Sequence, residues 1–161
     1  MNIRLLGFTG LVQTANMHPA VVHFPLVLVP VSFILFGSGH LAGNSGLRLA
    51  GRVCLWMALA SLVVAVFTGA KAVNGLSRDA AMWELLRAHA TLAAVSALAT
   101  LTLAACSTTI HGQRPRAKWL FIVGLALDCV LVFQTGDLGA RMVYMHGAAV
   151  KRPSPAANSG H

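Results

Sequence analysis

The stretch HPAVVHFPLVLVPVSFILF, residues 18–36, decides how the rest of the chain is read. No Asp, Glu, Lys or Arg occurs from Met17 to His40. A helix needs about 20 apolar residues to cross the hydrocarbon of a bilayer, and this run supplies them. Its entrance nevertheless carries two histidines, His18 and His23, whose ring nitrogens need partners that lipid does not offer. A greasy span that opens on such costly groups needs a reason for them.

The whole chain is greasy in the same way. Of its 161 residues 57% are hydrophobic and 10% charged, with a mean hydropathy of +0.72. Soluble domains carry about 25% charged residues. Three further apolar runs are long enough to span, from about Val53 to Val73, Leu86 to Cys106 and Trp119 to Leu138, with the first from about Ala20 to Phe36. The connecting stretches GSGHLAGNSG, NGLSRDA and STTIHGQRPRAK hold the glycine, serine, proline and charge expected of loops. Only helices or closed barrels satisfy the backbone in lipid, and strand-like alternation is missing. The expected fold is therefore all-α, a transmembrane antiparallel four-helix bundle over residues 18–150. Residues 1–17 read as an interfacial lead-in or a signal peptide. The tail KRPSPAANSGH, residues 151–161, reads as disordered.

The charge balance is basic, with 12 Lys and Arg against 4 Asp and Glu. These cations stand at the ends of apolar runs, as helix anchors do, so a nucleic-acid partner is not indicated. In a four-span chain both termini and the middle connection share one side, called face A, and the other two connections share face B. Face B holds Arg48, Arg52, Arg114, Arg116 and Lys118 and no acid. The positive-inside rule counts basic residues rather than net charge, and Arg4, Lys71, Arg78, Arg87, Arg141, Lys151 and Arg152 stand on face A, so the bias is weak. The arginine-rich loops of face B lead us to expect that face in the cytoplasm of a bacterial inner membrane, with the termini outside. The three cysteines form no CxxC or CxxCH motif and read as small core residues.

Four of the seven histidines fall on face A: His18 and His23 at the start of the first span, His89 in the first turn of the third, and His146 after the fourth. His40, His111 and His161 read as solvated loop and tail residues. Helix bundles hold metals and cofactors through side chains projected inward from facing helices. Spans one and three are diagonal in such a bundle, which can point His23 and His89 at each other as axial ligands of a haem iron. The bland alternative makes His18 a helix cap before Pro19 and His23 a core ring bonded to a carbonyl freed by proline. Ser61, Ala65 and Gly69 form a track of small residues on the second span, read either as close helix packing or as one wall of a porphyrin slot. Asp128, near the middle of the fourth span, reads as a carboxyl bonded to a hydroxyl such as Ser61 or Thr100, or as a functional intramembrane group. No nucleophile elbow, HExxH or phosphate loop appears, so a hydrolase is not supported.

The two ends of the chain resemble a known group. HPAVVHFPLVLVP near the start and GDLGARMVYMHGAAV near the end are similar to the domain of unknown function 2231 family of small bacterial four-helix membrane proteins. The likeness runs through the opening H-P-x-x-V-H-F-P, Thr68 and Gly69, His89 and Ala90, and the closing Gly136, Leu138, Arg141, Val143, Tyr144, His146 and Gly147. It implies the fold, the membrane and the histidine pattern, and no activity. The residues themselves lead to an expected electron-transfer protein binding haem b, exchanging electrons with a redox partner, a quinone or another subunit of a larger membrane complex. His23 and His89 are the expected axial (metal) ligands, with His18 and His146 on a second haem or on propionates and Arg141 neutralising a propionate. The alternatives are a copper-binding or transport-accessory protein, with Met17, Met142 and Met145 as soft donors nearby, and a plain membrane anchor.

Overall fold

A computed structural model describes residues 17–76, 79–110 and 114–148 of the chain. The interfacial lead-in before Met17 and the tail 151–161 lie outside the described residues. Among the described residues five α-helices follow in order: α1, His18–Val21; α2, His23–Leu41; α3, Ser45–Ala72; α4, Ala80–Ser107; and α5, Pro115–His146. A 3-10 turn, Val73–Gly75, closes α3. Helices α1 and α2 together make one span of 24 residues, so four helices are long and apolar enough to cross a membrane.

All four spans begin before their apolar stretches, and all but α3 run past their ends. Asn44 caps α3, its side chain accepting from the amides of Gly46 and Leu47, and Pro115 sits in the first turn of α5, where its missing N–H costs nothing. Arg48, Arg116 and Lys118, expected in loops, therefore lie in first helical turns. At the far end of α5 the left-handed residue Gly147, φ 66°, lets the Ala148 amide reach the Met142 carbonyl at 3.0 Å. The Gly147 amide itself bonds the Val143 carbonyl at 3.0 Å, an αL cap that needs the φ glycine adopts without strain.

The four spans form a ring in which each packs on its sequence neighbours and the first returns to the last, leaving α2 and α4 diagonal. Contacts between α2 and α3 run in opposite order along the two helices. Arg48 Nη1 donates to the Gly39 carbonyl at 2.8 Å and the Ser32 hydroxyl to the Gly51 carbonyl at 3.0 Å, while His18 meets Thr68 at the other end. Phe36, Leu55, Ala104, Phe121 and Leu125 form the core toward face B, and Val29, Ala58 and Val132 continue it inward. Most large apolar side chains point outward, Phe24, Phe67 and Leu120 among them. In water this would be an enormous apolar patch, whereas in lipid it is the solvent-facing surface.

Asp128 is 1% exposed and accepts from Thr100 at 2.7 Å and Ser96 at 3.2 Å, which clamps α5 to α4. The expected Thr100 contact is present. Ser61 instead donates to the Ala58 carbonyl of its own helix. Replacing Asp128 by Asn keeps an acceptor for one hydroxyl and should leave unfolding in detergent nearly unchanged. Asp128→Leu should cost about 0.6–1.7 kcal/mol, the range found for polar pairs between membrane helices. Equal stability of the Leu variant would show that the clamp contributes nothing.

Candidate functional site

Histidine rings do converge on face A, with a different partner for His89 than expected. The rings of His18 and His89 stand 6.2 Å apart between centroids, with planes at 89°. His23 is exposed, and its Nδ1 donates to the Pro19 carbonyl at 2.6 Å. Helical phase accounts for the difference. Pro25 cannot donate to the Val21 carbonyl, and the hydrogen-bond ladder is interrupted at Val22, but the Val22 backbone stays helical at φ −64° and ψ −18°. His18 and His23, five residues apart, therefore point about 140° apart. His18 faces the bundle and His23 faces out. Met17, rather than His18, occupies the N-cap position of α1, and it makes no side-chain cap bond.

All four spans build the His18–His89 pair. Nδ1 of His18 lies 3.2 Å from the Thr68 hydroxyl on α3. That hydroxyl directs its own proton at the Val64 and Ala65 carbonyls, at 3.0 and 3.1 Å. With the proton so directed, its oxygen is free to accept from Nδ1 of His18. Nδ1 of His89 lies 3.0 Å from the Thr135 carbonyl on α5, which can only accept. The carbonyl acceptor assigns the ring proton of His89 to Nδ1 and its lone pair to Nε2, and the same Nδ1–H tautomer of His18 fits its contact with Thr68.

Two glycines bring the backbones close to these rings. A Cβ on Gly69 would sit 3.0 Å from Cε1 of His18, closer than side chains tolerate without moving. A Cβ on Gly139 would sit 3.5 Å from Cε1 of His89, an ordinary contact. The small-residue track of the second span thus ends against a histidine ring. Thr135 and Gly139 carried no weight in the sequence reading, although they stand one helical turn apart on the stripe of α5 that leads to His146.

The other expected site residues stand apart from the pair. Nδ1 of His146 lies 3.8 Å from Oδ2 of Asp79, tying the end of α5 to the start of α4. Arg141 binds Asp137 at 2.8 Å on a half-exposed surface. It follows Gly139 by two residues, so it points about 200° away from the stripe that meets His89. The geometry therefore does not support its expected role at a propionate beside this pair. Among the described residues no cluster of three or more His, Cys, Asp or Glu comes together.

A family model described as "Predicted membrane protein (DUF2231)" matches residues 14–152. No curated protein and no solved structure matches the chain.

Nitrogen NMR of histidine-labelled, metal-free protein should report the Nδ1–H tautomer for both rings. Gly69→Ala should shift the His18 signals, and Gly139→Ala should leave those of His89 near their parental positions. An Nε2–H tautomer at His89 would contradict the bond to Thr135.

Proposed function

The chain belongs to the DUF2231 family of predicted membrane proteins, and from that premise we propose that it is a membrane electron-transfer protein holding haem b between His18 and His89. One observation carries this reading. A histidine nitrogen binds a metal at about 2.0–2.1 Å with the ring centre roughly 1 Å farther back, so two rings holding one ion from opposite sides would have centroids about 6 Å apart. The separation of 6.2 Å matches that spacing. The second support is the anchoring of each Nδ1. Metal-ligating histidines characteristically donate the other ring N–H to a carbonyl or similar acceptor, which fixes the tautomer and the ring orientation. Thr135 does this for His89, and Thr68 for His18. The third is the donor count. Zinc sites take three or four protein ligands, whereas a haem iron takes one or two axial ones and no covalent attachment motif.

When bound, such a group supplies one-electron chemistry. The work of this chain's own residues is positional: Thr68 and Thr135 orient the rings, and Gly69 gives His18 room to sit against α3. The ligand role expected of His23 passes to His18. The partner is a redox protein, a quinone or a neighbouring subunit reached from face A or through the lipid. The arginines gathered in the two face B connections are the support for placing that face in the cytoplasm of an inner membrane and the histidine pair on the outer side. Copper held by the same two nitrogens is the second reading. It is favoured by Met142, a buried soft donor on α5 less than one turn beyond Gly139.

The purified protein in detergent should show a sharp reduced α-band after dithionite. His18→Ala and His89→Ala should lose it or turn the haem high-spin, while His23→Ala and His40→Ala should keep it. Folding must be checked in parallel, because an unsatisfied buried partner costs about 1–3 kcal/mol by itself. A colourless protein with copper by elemental analysis would replace haem with the second reading. A colourless protein with neither metal would overturn both.

A further inference from the structure

The opposite end of the bundle carries a second feature, independent of the histidine pair. A cavity of about 300 Å³ opens at face B between α2, α3 and α5. His40, Arg48 and Lys118 line it, with Phe36, Phe121 and Ile122 also in its wall. Its polarity is graded. Phe36 and Phe121 meet edge to face at 4.9 Å and belong to the core cluster, one turn inward from His40 and Lys118 respectively. His40 is held edge to face against Trp119, ring centroids 5.3 Å apart, and Trp119 is half-exposed where tryptophans gather at a membrane interface.

The charge of this end is unopposed. The four acids of the chain are Asp79, Glu84, Asp128 and Asp137. Two flank the middle connection or start α4, one is clamped in mid-span and one belongs to the last turns of α5. None stands near the cavity. Arg48 is fixed by one bond, Nη1 to the Gly39 carbonyl at 2.8 Å, and a guanidinium has five N–H donors. A cavity with cations at its mouth and aromatic rings at its floor, at the end of membrane-spanning helices, suits an anion with an apolar tail. Basic pockets between helix ends hold lipid phosphates by this combination.

We propose that the face B cavity binds the phosphate headgroup of an anionic membrane lipid. Arg48, Lys118 and His40 hold the phosphate, and Phe36, Phe121 and Ile122 receive the first carbons of the chain. The volume lies at the lower end of ligand pockets, which suits a headgroup whose tails remain in the bilayer. A zwitterionic lipid offers the same phosphate, but its ammonium meets three basic side chains and no carboxylate.

Trp119 provides a local readout. The full chain carrying Trp56→Phe and Trp83→Phe leaves Trp119 as its sole tryptophan. It is placed in phosphatidylcholine vesicles doped with brominated phosphatidylglycerol or, separately, with brominated phosphatidylcholine at equal mole fraction. Quenching of Trp119 should favour phosphatidylglycerol by about fivefold or more, the scale of one cation at a membrane surface. Lys118→Gln should lower that preference about fivefold, and Lys118→Arg should restore it. Arg116→Gln removes the same charge from an exposed position outside the cavity and should leave it nearly intact. Helicity by circular dichroism separates misfolding from lost binding. Equal quenching by the two lipids would overturn the proposal, as would equal losses from Lys118→Gln and Arg116→Gln. Abolition of the preference by inorganic phosphate would also overturn it, assigning the cavity to a free anion.

Discussion

In hydrocarbon a polar group has no solvent to fall back on, and its partner has to come from the protein. That constraint organises the structure more than apolar packing does. The helices are hydrophobic nearly all round, so lipid tails and neighbouring helices are similar surroundings for a leucine. What distinguishes one register from another is a short series of polar contacts between spans: Arg48 to Gly39, Ser32 to Gly51, Asp128 to Thr100 and Ser96, His89 to Thr135, and His18 to Thr68. Each lies between consecutive spans, and together they run from one face to the other. Among the described residues no buried side-chain nitrogen or oxygen is left without a partner.

Glycines mark where these contacts bring backbones close. Gly39 faces Arg48, Gly51 faces the Phe36 ring, and Gly69 faces the His18 ring. Small residues at helix crossings are the usual route to close approach in membranes. At Gly69 the space is taken by an imidazole rather than by another backbone. Packing and site-building are therefore the same act on the second span. The two faces differ in chemistry as a result. Face A collects imidazoles that share a small volume, and face B collects cations around an apolar floor.

Much of this was legible in the residues. Hydropathy marked four spans, since length and apolarity are all that spanning requires. Chain reversal at each connection placed His18, His89 and His146 on one face without any knowledge of packing. The Thr100–Asp128 contact was readable because a mid-span carboxyl needs a nearby hydroxyl. The His18–His89 pairing was harder to read. Spacing sets His18 and His23 about 140° apart, but which of the two faces the bundle depends on how the first span packs, and spacing does not encode that. The helix ends were misjudged because the Asn44 cap and a proline at the first position of α5 start helices before hydropathy rises. Arg141 was read as a propionate partner from its donor fork on face A, and in the structure that fork meets Asp137 one turn back on α5.

The perpendicular rings bear most directly on the central claim, that His18 and His89 are the two axial ligands of one iron. Axial imidazoles at right angles leave two iron d orbitals nearly equal in energy, and a ferric low-spin centre then gives a strongly anisotropic electron paramagnetic resonance signal. Parallel rings split those orbitals and give an ordinary rhombic one. With ring planes at 89°, the oxidised protein at low temperature should give the strongly anisotropic low-spin signal, and Gly69→Ala should weaken or reshape it by displacing His18. A high-spin iron signal alone, a copper hyperfine pattern, or no signal from protein that contains its metal would contradict the assignment.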